Sequence, residues 1–251
     1  MQIQLQKHIV RVDMIIQCDA KALEWVCGSY LSKDKVAYQE IKDEVDQHTL
    51  NQQAFKLPSR LIAKKFVFRL MYGGSAYSYA NDPDFTDVST STEFWQEVID
   101  AFYNKYEGFS LWHASIVKEA IANKQLVMPT GRIYKYDMTE RDWRGNLKVP
   151  ETTIKNYPVQ GLGADIMSIA RVLFYHMFKA HNVNGYIVNT IHDSIVCDVH
   201  NNDIELVNKL FQETFKAIPN TFEKVFKLEF DLPLRCEVSY GNNMKELTEF
   251  K

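Results

Sequence analysis

Residues Arg60–Gly74 read RLIAKKFVFRLMYGG, and within them Arg60, Lys64, Phe68 and Tyr72 recur at every fourth position. In an α-helix that interval lines the four side chains along one slowly turning face. Two cations lead and two aromatics follow. The order suits a ligand with a charged tail and a flat head, with Arg60 and Lys64 on phosphates and Phe68 and Tyr72 against a base and sugar. From Arg60 to Tyr72 such a helix rises roughly 18 Å, the scale of an extended nucleoside triphosphate. An amphipathic helix with aromatics in the core and cations at its edge contains the same residues, so the stretch alone leaves both readings open. Ser59 stands where an N-cap belongs, and a loop is expected after Gly73-Gly74.

Upstream, Met14–Cys18 reads MIIQC, a short apolar run expected as a buried strand, and a helical AKALEWVCGSYL follows Asp19. A carboxylate at a strand end is exposed enough to take a metal and rigid enough to aim it, while Asp before a helix is also a favoured N-cap. Glu24 by itself reads as a surface charge. SKDKVAYQEIKDEVDQHTLNQQAFKLPSR is polar and mostly helical in pattern, interrupted near Asp46. His48 lies close enough before Arg60 to fold back as a third phosphate donor, or it is an incidental surface histidine.

Downstream come a loop, SAYSYANDPDFTDVSTST, and two helical patterns, TEFWQEVIDAFYNKYEGF and LWHASIVKEAIANK. QLVMPTGRIYKYDM reads as a hairpin around Thr130-Gly131, followed by the polar stretch TERDWRGNLKVPE. Asn156-Tyr157-Pro158 is expected to be extended, because the residue before a proline is pushed away from the helical region, and a long helix follows it. The small Gly161, Gly163 and Ala164 in that helix allow close approach by packing or by a ligand. GYIVNTIHDSIVCDV reads as two strands around His192-Asp193; a helix over 202–217 and a strand-like LPLRCEVSYG close the chain.

With 251 residues, 46% of them hydrophobic and 24% charged, the chain has the composition of a soluble protein of one or two domains. A net charge of −3 does not match a dedicated basic DNA module, so any DNA contact would use a local basic surface. Cys18, Cys27, Cys197 and Cys236 form no C-x-x-C pair, which argues against a zinc site or disulfide framework and fits reduced thiols in a cytoplasmic compartment. No apolar run approaches the roughly 20 residues of a membrane span, and the N-terminus lacks the order of a signal peptide.

Asp19 and Asp193 each stand at the end of a predicted strand and meet if those strands are neighbours. Two unpaired carboxylates that close repel, an arrangement that makes most sense with divalent metal between them. Hard oxygen ligands and a phosphate substrate favour Mg²⁺, with Mn²⁺ able to substitute. Two such ions roughly 3.5–4 Å apart would activate an attacking hydroxyl and stabilise a leaving pyrophosphate.

Four motifs in order carry a resemblance to a known family. D-A-K-A-L-E at Asp19–Glu24 resembles motif A of the family A DNA polymerases, and R-x3-K-x3-F-x3-Y-G at Arg60–Gly73 is similar to their motif B, the fingers helix, without a gap. NYPVQG-x-x-ADI at Asn156–Ile166 resembles their Gln-containing helix, and I-H-D at Ile191–Asp193 resembles motif C. LPLRCEVSYGNNM resembles the family's ending.

The resemblance implies template-directed DNA synthesis by two-metal nucleotidyl transfer from a deoxynucleoside triphosphate to a primer 3′-hydroxyl. It makes Asp19 and Asp193 the catalytic, Mg²⁺-binding pair, helped by the backbone carbonyl of Ala20 beside the nucleotide. Arg60, Lys64 and His48 would grip the triphosphate, and Lys64 would also protonate the pyrophosphate. Phe68 and Tyr72 would pack on the nucleoside, and Glu24 would fill the space a ribose 2′-hydroxyl needs. Asn156, Gln160 and His192 would meet the primer terminus or the minor groove, where contacts test pair shape more than sequence. Three positions depart from the family pattern: Val26 and Thr152 where arginine is common, and Ser194 where motif C usually has Glu.

The expected fold is therefore α+β: an antiparallel palm sheet with packed helices, from residues 1–31 and 151–251, interrupted by an inserted, mostly helical fingers subdomain over 32–150. Thumb and exonuclease domains are expected to be absent. The chain then reads as the catalytic half of a split, phage-type polymerase, acting in the host cytoplasm and completed by a separate thumb- and exonuclease-bearing polypeptide. Its other partners would be primer–template DNA and deoxynucleoside triphosphates, with no membrane. Single-subunit RNA polymerases share the two aspartates and often His-Asp-Ser in motif C, but usually carry Gly at the place of Glu24 and a non-aromatic residue at that of Phe68. An inactive remnant serving as a nucleic-acid-binding or scaffold protein would have no use for Asp19, Asp193, Arg60, Lys64, Phe68 and Tyr72 together.

Overall fold

The structure is a computed structural model that describes residues 13–139, 141, 144, 145 and 149–250. The first dozen residues of the expected first palm segment and part of TERDWRGNLKVPE lie outside the described residues. In chain order the elements begin with β1 (Met14–Ala20), α1 (Leu23–Ser32), α2 (Lys35–Lys42), α3 (Gln47–Ala54), α4 (Arg60–Met71) and α5 (Ala76–Ala80). There follow α6 (Thr92–Lys105), α7 (Glu107–Asn123), β2 (Gln125–Val127), β3 (Ile133–Lys135) and α8 (Glu151–Ala180). The last are β4 (Gly185–Ile191), β5 (Ser194–Val199), α9 (Ile204–Phe226), β6 (Cys236–Gly241) and β7 (Thr248–Glu249). Two compact units divide between Leu23 and Glu24 and again between Leu162 and Gly163.

In the first unit five strands pair in the order β4-β5-β1-β6-β7, every pair antiparallel. Alternation decides the faces of β1: Ile16, Cys18 and Ala20 are buried, while Gln17 and Asp19 share the more open face. β5 is buried along its whole length. The amphipathic α9 packs against β1 and β6 with Val207, Leu210, Phe211, Phe215, Ile218 and Phe222 inward. Phe211 stacks on Phe174 of α8 with ring centroids 3.8 Å apart. The last helix runs past the expected end near 217 and through Pro219, because Ile218 and Phe222 continue its buried stripe.

Among its described residues the second unit has helices and the β2–β3 hairpin, which turns through a left-handed Gly131 at φ 88°. Its core is aromatic. Trp95 packs with Phe66, Tyr79 and Phe85, Trp25 packs with Tyr106 and Phe109, and Phe102 touches Phe66 and Tyr106. Where a loop was expected after Gly74, Ser75 and Ser78 form a reciprocal capping box that starts α5.

Asn156-Tyr157-Pro158 is helical and not extended, since α8 runs unbroken with Pro158 inside it. A proline there removes one backbone donor. Burial of Ile154, Val159 and Leu162 along one side favours continuing the helix despite that loss. Gly161 faces the Tyr134 hydroxyl so closely that a Cβ would collide with it, so here the small residue serves packing. All four cysteines are buried and outside any disulfide. Among the described residues no helix is long and apolar enough to cross a membrane.

Candidate active site

In the first unit, Asp19 lies within β1, opposite Ser194 of β5 and Glu237 of β6. It is not a helix cap, because α1 begins four residues later. Gln17, two residues back on the same face, donates its side-chain N–H to Asp19 Oδ1 at 3.0 Å and Oδ2 at 2.9 Å. Burial pushes the Asp19 carboxyl above its usual range; the Gln17 bonds oppose that, and the charges of Asp193 and Glu237 add to it. His192 and Asp193 form the turn between β4 and β5, with His192 left-handed at φ 51°. The Ala20 N–H donates to the Asp193 carbonyl at 3.0 Å, and Ser194 Oγ donates to the Ile191 carbonyl at 3.0 Å. Those two bonds tie the turn to the end of β1 and close it.

Asp19, Ala20, His192 and Asp193 thus come together on neighbouring strands. Two residues here went unnoticed in the sequence. Gln17 was within reach of the alternation rule, whereas Glu237 needed knowledge of which strand lies beside β1. Glu237 also pairs with Lys21 at 3.2 Å. Among the described residues no group of three or more His, Cys, Asp or Glu side chains forms a metal cage. Two half-buried carboxylates and a backbone carbonyl nevertheless fit Mg²⁺, which is usually held by one or two carboxylates and keeps other positions for water and substrate phosphates.

In the second unit, Ser59 caps α4 by accepting from the Ile62 N–H at 3.2 Å. The buried stripe of this helix is Ala63, Phe66, Val67, Leu70 and Met71. Arg60, Lys64, Phe68 and Tyr72 lie off that stripe, the cations exposed and the aromatics half-buried, so the aromatics are not core residues. Lys64 Nζ sits 5.9 Å from the Phe68 ring centroid, and the His48 ring 5.8 Å from it. His48 is buried, not a surface residue, and its Nδ1 meets no partner among the described residues. Burial, followed by the charge of Arg60, holds its imidazole down to about 4. Arg60 forms a two-pronged pair with Asp46, which the sequence reading did not single out.

One turn beyond Phe68, Tyr72 ends the helix and accepts a hydrogen bond from Gln160 Nε2 at 2.7 Å. Burial raises the Tyr72 phenol above its usual range, and the nearby Glu24 carboxylate raises it further. Glu24, Tyr72 and Gln160 therefore form a second cluster next to the basic cluster of Arg60, Lys64 and His48. Asn156 stands one helical turn before Gln160, with its Oδ1 buried and unpartnered among the described residues. Gly73 is left-handed at φ 85°, and a Cβ there would press on the backbone of Thr152 at 3.2 Å, so only glycine lets the chain leave α4 beside α8.

The profile of DNA polymerase family A matches residues 3–246, so the chain belongs to that family. It is 26% identical over 173 residues to DNA polymerase I of Aquifex aeolicus, covering 68% of this chain and 28% of that protein. Against DNA polymerase I of Caldicellulosiruptor bescii it is 25% identical over 244 residues, covering 93% of this chain and 27% of the relative. Against the DNA polymerase of Bacillus phage SP01 the figures are 22% over 193 residues, 76% and 20%. The chain thus spans between a fifth and three tenths of these relatives' length. Its fold matches the POL domain of Pol1 from M. smegmatis, solved in complex with DNA primer-template and dNTP. The TM-score is 0.78 at 20% identity, over 93% of this chain and 40% of the other.

Proposed function

We propose that this chain carries the catalytic centre of a DNA-directed DNA polymerase, which joins a deoxynucleoside monophosphate to a primer 3′-hydroxyl and releases pyrophosphate. In this reading the first unit is the palm, and the second, which contains all of residues 32–150, is the fingers. Asp19, Asp193 and the Ala20 carbonyl would hold two Mg²⁺ ions, or Mn²⁺ in their place. When bound, these supply neutralising charge and a more acidic 3′-hydroxyl. Gln17 keeps the Asp19 carboxylate in place. Arg60, Lys64 and His48 bind the triphosphate, and Lys64 gives a proton to the departing pyrophosphate. Phe68 and Tyr72 face the nucleoside, Glu24 excludes a 2′-hydroxyl, and Asn156, Gln160 and His192 meet the terminal base pair. Phosphoryl transfer asks a protein for positioning and charge, and this set supplies both without a protein nucleophile.

The observation that carries this reading is the division of α4: its core stripe is made by other residues, leaving two exposed cations and two half-buried aromatics off it, with His48 on Phe68. A thumb- and exonuclease-bearing polypeptide would add the phosphate contacts on which duplex affinity depends.

Primer extension with four deoxynucleotides and Mg²⁺ tests the reading against Asp193→Asn. Extension by the chain, alone or mixed with a thumb-bearing polypeptide, that disappears in the variant supports it. Absence of extension in both settings, together with absence of Mg²⁺-dependent nucleotide binding, refutes it in favour of a remnant that only binds or scaffolds.

A further inference from the structure

We propose that Asp46 is a positioning residue for the incoming nucleotide: it clamps the Nε–Nη2 edge of the Arg60 guanidinium so that the adjacent Nη1–Nη2 edge is presented to the triphosphate. This rests on the assignment of Arg60 to the triphosphate.

The carboxylate is immobilised before Arg60 is considered. As the N-cap of α3, its Oδ1 accepts from the backbone N–H of His48 at 3.1 Å and of Thr49 at 3.4 Å, and its Oδ2 accepts from Thr49 Oγ1 at 2.8 Å. Onto this fixed group Arg60 places Nε on Oδ2 at 2.6 Å and Nη2 on Oδ1 at 3.1 Å. A two-pronged contact fixes the plane of a guanidinium, which a single contact cannot do. Arginine has five N–H donors, and Asp46 takes two of them. The pair of donors on Nη1 and the second on Nη2 meet no acceptor among the described residues, and in a planar guanidinium one N–H of each Nη lies on the Nη1–Nη2 edge, which Asp46 leaves open. A phosphate can therefore bind Arg60 without displacing the carboxylate.

Helix position sharpens the case. Arg60 opens α4, whose first turn contains no acidic residue, so a cation stands where the helix dipole disfavours it and an anion is favoured. Left alone, an exposed arginine there would spread over many rotamers and would have to be ordered when the nucleotide arrives. Asp46 meets that ordering cost in advance. The same cap receives the His48 N–H, so one carboxylate sets the starting point of two of the three side chains assigned to the phosphates.

The test is calorimetric titration of the whole chain with inorganic tripolyphosphate and with a deoxynucleoside triphosphate, both with Mg²⁺. Asp46→Ser keeps a good helix cap but cannot hold the fork. Its expected effect is about tenfold weaker binding of both ligands, with an unchanged unfolding midpoint. Asp46→Asn, which keeps the cap and one acceptor, falls between. Because the residues act as a pair, Asp46→Ser combined with Arg60→Ala should bind no worse than Arg60→Ala alone. Unchanged or tighter binding by Asp46→Ser, while Arg60→Ala binds more weakly, overturns the inference and leaves Arg60 in place; tighter binding would mean that the carboxylate competes with phosphate. If Arg60→Ala itself changes nothing, the phosphate role of Arg60 falls as well.

Discussion

Acidification should weaken the second unit through His48, and the size of the effect follows from where the ring sits. It is buried against Phe68, and burial, the Arg60 charge and a smaller contribution from Lys64 hold its pKa to about 4, with Asp46 opposing only in part. An unfolded chain titrates histidine near 6.5. The folded value lies below the unfolded one, so above about pH 6.5 neither state takes the proton and the stability is intact. As pH falls toward 4 the unfolded state takes up a proton that the folded state refuses, and stability is lost. The gap corresponds to about 2 kcal/mol at pH 5 and about 3 kcal/mol near pH 4. Trp25, Trp95 and Trp112 fall within the second unit, so tryptophan fluorescence in urea reports on it. His113 is also buried, with its pKa held to about 3 by burial and then by Lys155, and loses stability in the same direction. Comparing the chain with His48→Gln cancels that contribution. The stability advantage of the unsubstituted chain over the variant should shrink by about 2 kcal/mol between pH 7 and pH 5. An advantage that stays constant over that range would refute the burial of a neutral His48.

Glu24→Ala removes the carboxylate beside Tyr72 and, if Glu24 excludes a 2′-hydroxyl, should raise ribonucleotide use relative to deoxynucleotide by at least about tenfold in primer extension. Unchanged sugar discrimination would remove Glu24 from that role. Ser59→Ala takes away the cap of α4 and should cost about 1 kcal/mol in the same urea assay, with an unaltered midpoint counting against the cap.

The parts of the molecule legible in the sequence were those set by local periodicity. The apolar run MIIQC, the IHD turn between two apolar runs and the four-residue interval in α4 each depend on neighbours within one element, and each is found where expected. Asp46 was read only as an interruption because its partner is 14 residues away, and Glu237 was passed over because it meets Asp19 only through the order of strands. Pro158 misled for a related reason: the local preference against helix before proline is real, but the buried side of α8 outweighs it. His48 looked exposed because its surroundings in sequence are polar, whereas the ring is covered by Phe68 from another helix.

Where local rules are broken, the breaks gather near the residues assigned to the nucleotide. Arg60 begins a helix at the end that repels cations, His48 Nδ1 and Asn156 Oδ1 are buried without a partner among the described residues, and Tyr72 stops short of the core stripe. Each is a small cost that packing alone does not explain, since Ala63, Phe66, Val67, Leu70 and Met71 already satisfy the interior. A bound triphosphate would reverse the sign of the first cost, because the anion welcomes both the helix N-terminus and the guanidinium. Asp46 keeps that cation ready in the meantime, through an exposed ion pair worth little to stability but well placed to set geometry. Local destabilisation concentrated on one face, and compensated by a contact that leaves the ligand edge open, is what a site built for an anionic substrate requires, and an ordinary amphipathic surface has no reason to carry it.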